Sequence, residues 1–161
     1  MSFSNQDVRR QDRLLDEKSA TKLLNAKYGV LSMQAEEGGA YAVPISFVWD
    51  GSKTLYFHCA PEGRKLRCIA LCNKVSFCVV GNEKIIPEKF TTLYESIVVE
   101  GMASTVLHKE ERMKALELLI KKYSPEHLET GLKYAKNSFQ LTEIIKLEIE
   151  SWSGKCKKNN G

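Results

Sequence analysis

The sequence has no run of 18 apolar residues and no charged-then-apolar leader, so the expectation is a chain with neither a membrane span nor a secretory segment. No GxGxxG follows a strand pattern and no GxxxxGK[ST] occurs anywhere, which argues against the Rossmann and P-loop routes to nucleotide phosphate. Histidine is scarce: His58, His108 and His127 match no metal-binding spacing, so no metal site is expected. Nor is there a Ser/His/Asp order or a carboxylate pair that would nominate a protein acid, base or nucleophile. The five cysteines, Cys59, Cys68, Cys72, Cys78 and Cys156, are odd in number and sit within hydrophobic segments. Cys68 and Cys72 lie four apart on a helical pattern, unlike a CxxC redox or zinc hook. They read as small buried hydrophobes in a reducing cytoplasm.

What is present describes one ordinary folded domain over residues 1–161, with 43% hydrophobic and 27% charged residues. Its formal charge of +4 comes from basic tails at about 1–13 and 155–161, and residues 14–154 balance to zero. Without a basic stripe along the body, a nucleic-acid partner is not expected.

Asp16 reads as the N-cap of a short helix through Ala20, Leu23 and Leu24. The period then changes to two, and turn residues at 36–39 and 50–52 divide residues 29–60 into three antiparallel strands. "EGRKLRCIALCN" returns to helical spacing, "KVSFCVVG" is a strand, and "YESIVVEGMASTVL" is a long, nearly continuous apolar strand with Gly101 as a bulge or close-approach point. Met113, Leu116, Leu119, Ile120 and Tyr123 draw an apolar helical stripe, and a second helix through Leu128, Leu132 and Ala135 follows despite Gly131. A final strand in "LTEIIKLEIESW" aligns Leu141, Ile145, Leu147 and Ile149 on one face. These elements predict a mainly β, α+β fold built as a small closed or partly closed barrel.

The stretch "FHCAPEGRKLRC" at 57–68 carries the sharpest local signal. Cations are disfavoured at a helix N-terminus, yet Arg64 and Lys65 open the helix there. With the amide groups of the Glu62–Gly63 turn they would make a phosphate cradle, and His58 stands beside it. The plain alternative leaves both cations in water or paired with Glu62. Pro44, inside an otherwise good strand, signals an edge or an interruption whose backbone faces a ligand, or equally an edge blunted against aggregation.

Taken in order, "YAVPISFVWDGSKTLYFHCAPEGRKLRCIALCNKVSFCVVG", "TTLYESIVVEGMA", an amphipathic helix, "KYSPE" and a strand ending in "SGK" resemble the flavin-binding split-barrel superfamily over roughly residues 10–155. Within it the chain is most similar to the nitroimidazole-resistance family of reductases, related to pyridoxamine 5′-phosphate oxidase. The resemblance implies a homodimer of six-stranded antiparallel split barrels with flanking helices and a flavin, FMN or alternatively FAD, at each subunit interface. Carried onto this sequence, it implies Pro44, Ile45 and Ser46 along the ring system, and His58, Cys59 and Ala60 toward the ribityl chain and phosphate. Gly63, Arg64 and Lys65 would hold the phosphate, and Tyr94 and Ser96 would come from the partner subunit. In one respect the chain departs from the family, which commonly carries Gly-His-Lys where Gly63-Arg64-Lys65 stands here, and a guanidinium does not exchange protons near neutral pH. The expected function is a flavin-dependent oxidoreductase that reduces a small acceptor such as a nitroaromatic. The alternatives are a non-enzymatic flavin carrier or sensor, and a haem-binding split barrel with His58 as ligand.

Overall fold

Alternation from Tyr28 to Gln34 buries Gly29, Leu31 and Met33 and leaves Tyr28 and Val30 outside, the pattern of a strand with one covered face. The same physics repeats around a barrel in the computed structural model, which describes residues 1–158. In chain order its elements are β1 (Ser2–Phe3), α1 (Glu17–Leu23), β2 (Tyr28–Gln34), β3 (Ala40–Ser46), β4 (Val48–Trp49) and β5 (Thr54–Cys59). There follow α2 (Arg64–Leu71), β6 (Lys74–Ile86), β7 (Thr91–Ser104), α3 (Lys109–Tyr123), α4 (Leu128–Asn137) and β8 (Glu143–Lys157).

The strands pair in the order β3-β2-β6-β7-β8-β5-β4, antiparallel throughout, with the two-residue β1 added parallel to β8. Only Phe47 separates β3 from β4, so the two ends of this order are halves of one bent strand. That strand pairs with β2 before the bend and with β5 after it, which closes the sheet into the expected split barrel of six principal strands.

Inside, Phe47, Phe57 and Phe77 meet edge-on, Phe77 standing 4.8 Å from Phe47 and 5.1 Å from Phe57 between ring centroids. Leu31, Leu55, Ile97, Ile145 and Leu147 complete this core at zero exposure. A second, smaller cluster lies outside the barrel, where Val48, Tyr56 and Ile144 receive Ala115, Leu116 and Leu119 of α3 and Ala135 of α4. The Glu111 carboxylate ties α3 to the barrel by accepting from Tyr56 at 3.0 Å and pairing with Lys146 at 2.8 Å.

Several local expectations hold. Asp16 caps α1, its carboxylate accepting from the Ser19 N–H at 2.9 Å. Gly101 marks a register shift, and a Cβ there would stand 2.0 Å from the Glu148 carbonyl oxygen. Pro44 lies on β3, which before the bend pairs only with β2, the edge position expected for a proline within a strand.

Three readings are corrected. Leu141 is 73% exposed and lies in a 3-10 turn ahead of β8, because Thr142 only then turns the chain into extended conformation. β8 runs on through Lys155 and Lys157, since alternate Trp152, Gly154 and Cys156 are buried and keep the ladder profitable to extend. The N-terminal tail is likewise held, with Phe3 edge-on to Trp152 at 4.8 Å. The remainder of the basic C-terminal tail, beyond Lys158, lies outside the described residues.

Candidate functional site

The turn from β5 into α2 is built around Gly63, whose φ of 143° is open to glycine and strained for other residues. Among the described residues no side chain caps α2 and its first turn carries no acid; the Leu66 and Arg67 N–H groups donate to the Gly63 carbonyl, and the forward-pointing amides of Arg64 and Lys65 remain available. Arg64 does not turn to Glu62. Its guanidinium pairs with Glu37 at 2.6 Å and lies 4.3 Å from the Tyr41 ring centroid, while Arg67 pairs with Glu36 at 2.8 Å. The two acids of the β2–β3 turn therefore meet two arginines one helical turn apart. One pairing occupies only part of Arg64's five-donor fork.

Lys65 is half-buried and, among the described residues, has no carboxylate within ion-pair distance. Its charge reaches Cys59: burial pushes that thiol's pKa up, Lys65 opposes the rise, and Glu143 adds to it. Uncapped amides, a lysine without an acid and a glycine turn fit an anion the size of a phosphate.

Inward Phe57 makes its neighbour His58 face outward from β5, and Ala60 is exposed beyond it. On β3, Pro44 is exposed opposite Val30, whereas Ile45 is partly buried against the barrel core. Ser46 and His58 share a cavity of about 490 Å³ between the barrel and α3–α4, floored by Leu116, Leu119 and Ala135. Tyr94 and Ser96 stand apart on β7, opposite Lys157 and Lys155. The Ser96 hydroxyl donates to the Lys155 carbonyl at 3.5 Å, and neither residue shares a described cavity with the α2 turn.

The bend at Phe47 is held from α3. Lys122 donates to the carbonyls of Phe47 at 2.7 Å and Ala26 at 2.6 Å, with its ammonium 4.0 Å from the Phe47 ring centroid. The Tyr123 hydroxyl accepts from the Phe47 N–H at 3.0 Å and reaches the carbonyls of Phe47 and Lys27. Burial, with no acid partner among the described residues, lowers the Lys122 pKa to about 8. Sequence reading found an apolar stripe on α3, a second helix after it, and no metal-binding spacing at His127. In the structure Leu116, Leu119, Ile120, His127, Gly131 and Tyr134 line the cavity. The one clue was Gly131: a Cβ there would stand 2.7 Å from Ile120 Cγ2, so glycine is what lets α4 close on α3.

An antiparallel split barrel with a helix-covered cleft and a glycine-led, uncapped helix start defines the structural class of this chain. Within that class, the family model for pyridoxamine 5′-phosphate oxidase matches residues 16–156, and the chain belongs to that family. No curated protein matches it. Among solved structures it is similar to a proposed 5-nitroimidazole antibiotic resistance protein of Bacteroides thetaiotaomicron, at 21% identity over 89% of this chain and 86% of that one, with a TM-score of 0.73. A flavocytochrome of Azotobacter vinelandii is similar at 15% identity, 89% and 68% coverage and a TM-score of 0.75. An FAD- and haem-binding protein of Mycobacterium smegmatis is similar at 16% identity, 92% and 75% coverage and a TM-score of 0.74. At these identities the likenesses establish the fold. No helix among the described residues is long and apolar enough to cross a membrane.

Proposed function

We propose that this chain is a flavin-dependent oxidoreductase that passes electrons to a small organic acceptor such as a nitroaromatic. FMN is its cofactor and a second copy of the chain completes each site. The observation that carries the reading is the start of α2, where uncapped amides meet half-buried Lys65 with no carboxylate of its own among the described residues. The family match and the flavin named in the neighbours support it.

When bound, the flavin ring supplies the hydride and single-electron chemistry, so no protein acid or base is required for the reading. Lys65 and the α2 amides hold the phosphate as point charge and dipoles. Arg64 supplies a second fixed charge from a guanidinium already oriented by Glu37 and Tyr41. The backbone of Pro44, Ile45 and Ser46 would orient the ring, and His58 would lie toward its ribityl chain. Dimerisation is supported by the outer face of the barrel, where the register aligns Pro44, Val30, Cys78 and Val98 in one row beside exposed Tyr28 and Val80. A second copy on that face would bring its Tyr94 and Ser96 toward the first copy's flavin. Five unbridged thiols suit a cytoplasmic setting.

The test is spectroscopic. Purified protein is expected to show the two flavin absorption bands, or to acquire them on adding FMN, to bleach anaerobically with NAD(P)H and to recolour on adding a nitroaromatic. Protein that stays colourless after FMN addition would refute the proposal. Bound flavin that never turns over would replace it with the carrier or sensor reading. Light scattering is expected to give a mass near twice the 18.2 kDa chain.

A further inference from the structure

We infer that the cavity between the barrel mouth and α3–α4 is the acceptor's own binding site and that it selects uncharged, flat, mostly apolar molecules. The inference deepens the flavin reading above and rests on it. In a chain that is 27% charged, none of the fourteen residues lining this cavity is Asp, Glu, Lys or Arg. Helix α3 carries many charges, but they are directed elsewhere: Glu111 to Lys146, Arg112 to Glu143 and Glu117 to Lys121. The lining of the cleft is thus uncharged on a helix rich in charge, with the Lys122 ammonium behind the Tyr123 ring, 5.3 Å from its centroid, and Arg112 behind the Thr142 carbonyl.

Leu116, Leu119 and Ala135 give the floor, and the rings of Tyr123 and Tyr134 stand beside it, 39% and 73% exposed. Such rings offer flat faces to a flat ligand. The wall between the helices depends on Gly131, because any side chain there would press on Ile120. Glycine inside a helix costs about 1 kcal/mol relative to alanine, and here it brings α4 close enough to shape the groove. At about 490 Å³ the space suits one small ring compound. Its polar edge consists of hydroxyls and imidazoles, with Ser46 and His58 at the end shared with the flavin-binding set. An ionised ligand would lose water there without meeting an opposite charge, which penalises it heavily.

The test uses the full chain loaded with FMN, with nitrobenzene and 4-nitrobenzoate as probes in ligand-observed saturation-transfer NMR at a pH where the benzoate is ionised. Nitrobenzene is expected to bind about 30-fold or more tightly than 4-nitrobenzoate, the ratio that about 2 kcal/mol of uncompensated charge produces. Thr130→Lys, at an exposed rim position, should raise 4-nitrobenzoate affinity and shrink the ratio, and Tyr134→Ala should weaken nitrobenzene about tenfold with FMN occupancy unchanged. A chain that holds FMN but binds both probes alike, or ignores both substitutions, overturns this inference and leaves the flavin reading intact. A chain that takes no FMN overturns the flavin reading and the cavity's role as acceptor site with it. Haem uptake with a Soret band lost in His127→Ala would overturn the inference by giving the cavity another occupant.

Discussion

The turn into α2 and the groove under α3–α4 meet near His58, yet they are made in opposite ways. At the turn, charge is concentrated within a few consecutive residues, and acids from β2–β3 fold over to meet Arg64 and Arg67. In the groove, charge is excluded, and the walls come from residues as far apart as Ser46 and Thr142. The proposed flavin reductase would use both environments: one for a fixed anion and one whose lining carries no charge. The difference also sorts which part of the site each substitution should damage.

The largest separation is expected from Lys65→Glu. Reversing the one cation at the turn that lacks an acid among the described residues should lower FMN affinity about 10²- to 10³-fold, as loss of a charge-assisted contact plus repulsion would do. Nitrobenzene binding in the groove should stay within about twofold, because Lys65 does not line it. Equal losses at both sites would show that they are one environment.

Gly131→Val makes the opposite cut. Its side chain would collide with Ile120 and force α3 and α4 apart, costing about 1–3 kcal/mol of stability as an overpacked contact. Thermal denaturation should register that loss, and probe binding should fall while FMN titration stays near native. Unchanged probe affinity would mean the helices do not set the groove.

The third effect is a pH dependence at the bend between the two regions. Lys122 is held at about 8 by burial, facing only carbonyl oxygens and the rings of Phe47 and Tyr123 among the described residues. Above that pH the folded chain has released this proton while the unfolded chain, with an ordinary lysine, still holds it. Stability from this group should therefore rise from pH 8 toward the ordinary lysine range. Below pH 8 the folded state carries the full penalty of a buried charge. Denaturation of Lys122→Met, compared with the native chain at pH 7 and pH 9.5, should show the rise flattened. Parallel profiles would remove Lys122 as the cause.

The smallest effect belongs to Arg67→Ala. Its pair with Glu36 is solvent-exposed, so neither the melting midpoint nor FMN affinity should move measurably. A clear drop in FMN affinity would reassign the second cationic role from Arg64 to Arg67.

The contrast between the regions also explains what could be read from sequence. The strands were legible because one covered face imposes period two, as at Tyr28–Gln34, and the turn was legible because its residues are contiguous. Gly101 could be singled out because a glycine in an apolar strand has few other reasons to be there. The Glu37–Arg64 pair was not legible, since it joins residues 27 apart through the hairpin's placement over α2. The groove was hidden for the same reason: the stripe Leu116, Leu119, Ile120 reads equally as core packing, and only the docking of α4 leaves part of it open. Leu141 was misread because alternation continued past the point where the chain turns.

The account depends most on the phosphate being what the α2 turn recognises, and a direct measurement is the affinity of the native chain for FMN against riboflavin, which has the same ring and no phosphate. By fluorescence quenching at moderate salt, FMN should bind about 100-fold or more tightly than riboflavin, the worth of a buried, charge-assisted phosphate contact. Equal affinity for the two would contradict the account, because the charges at residues 63–65 would then hold nothing.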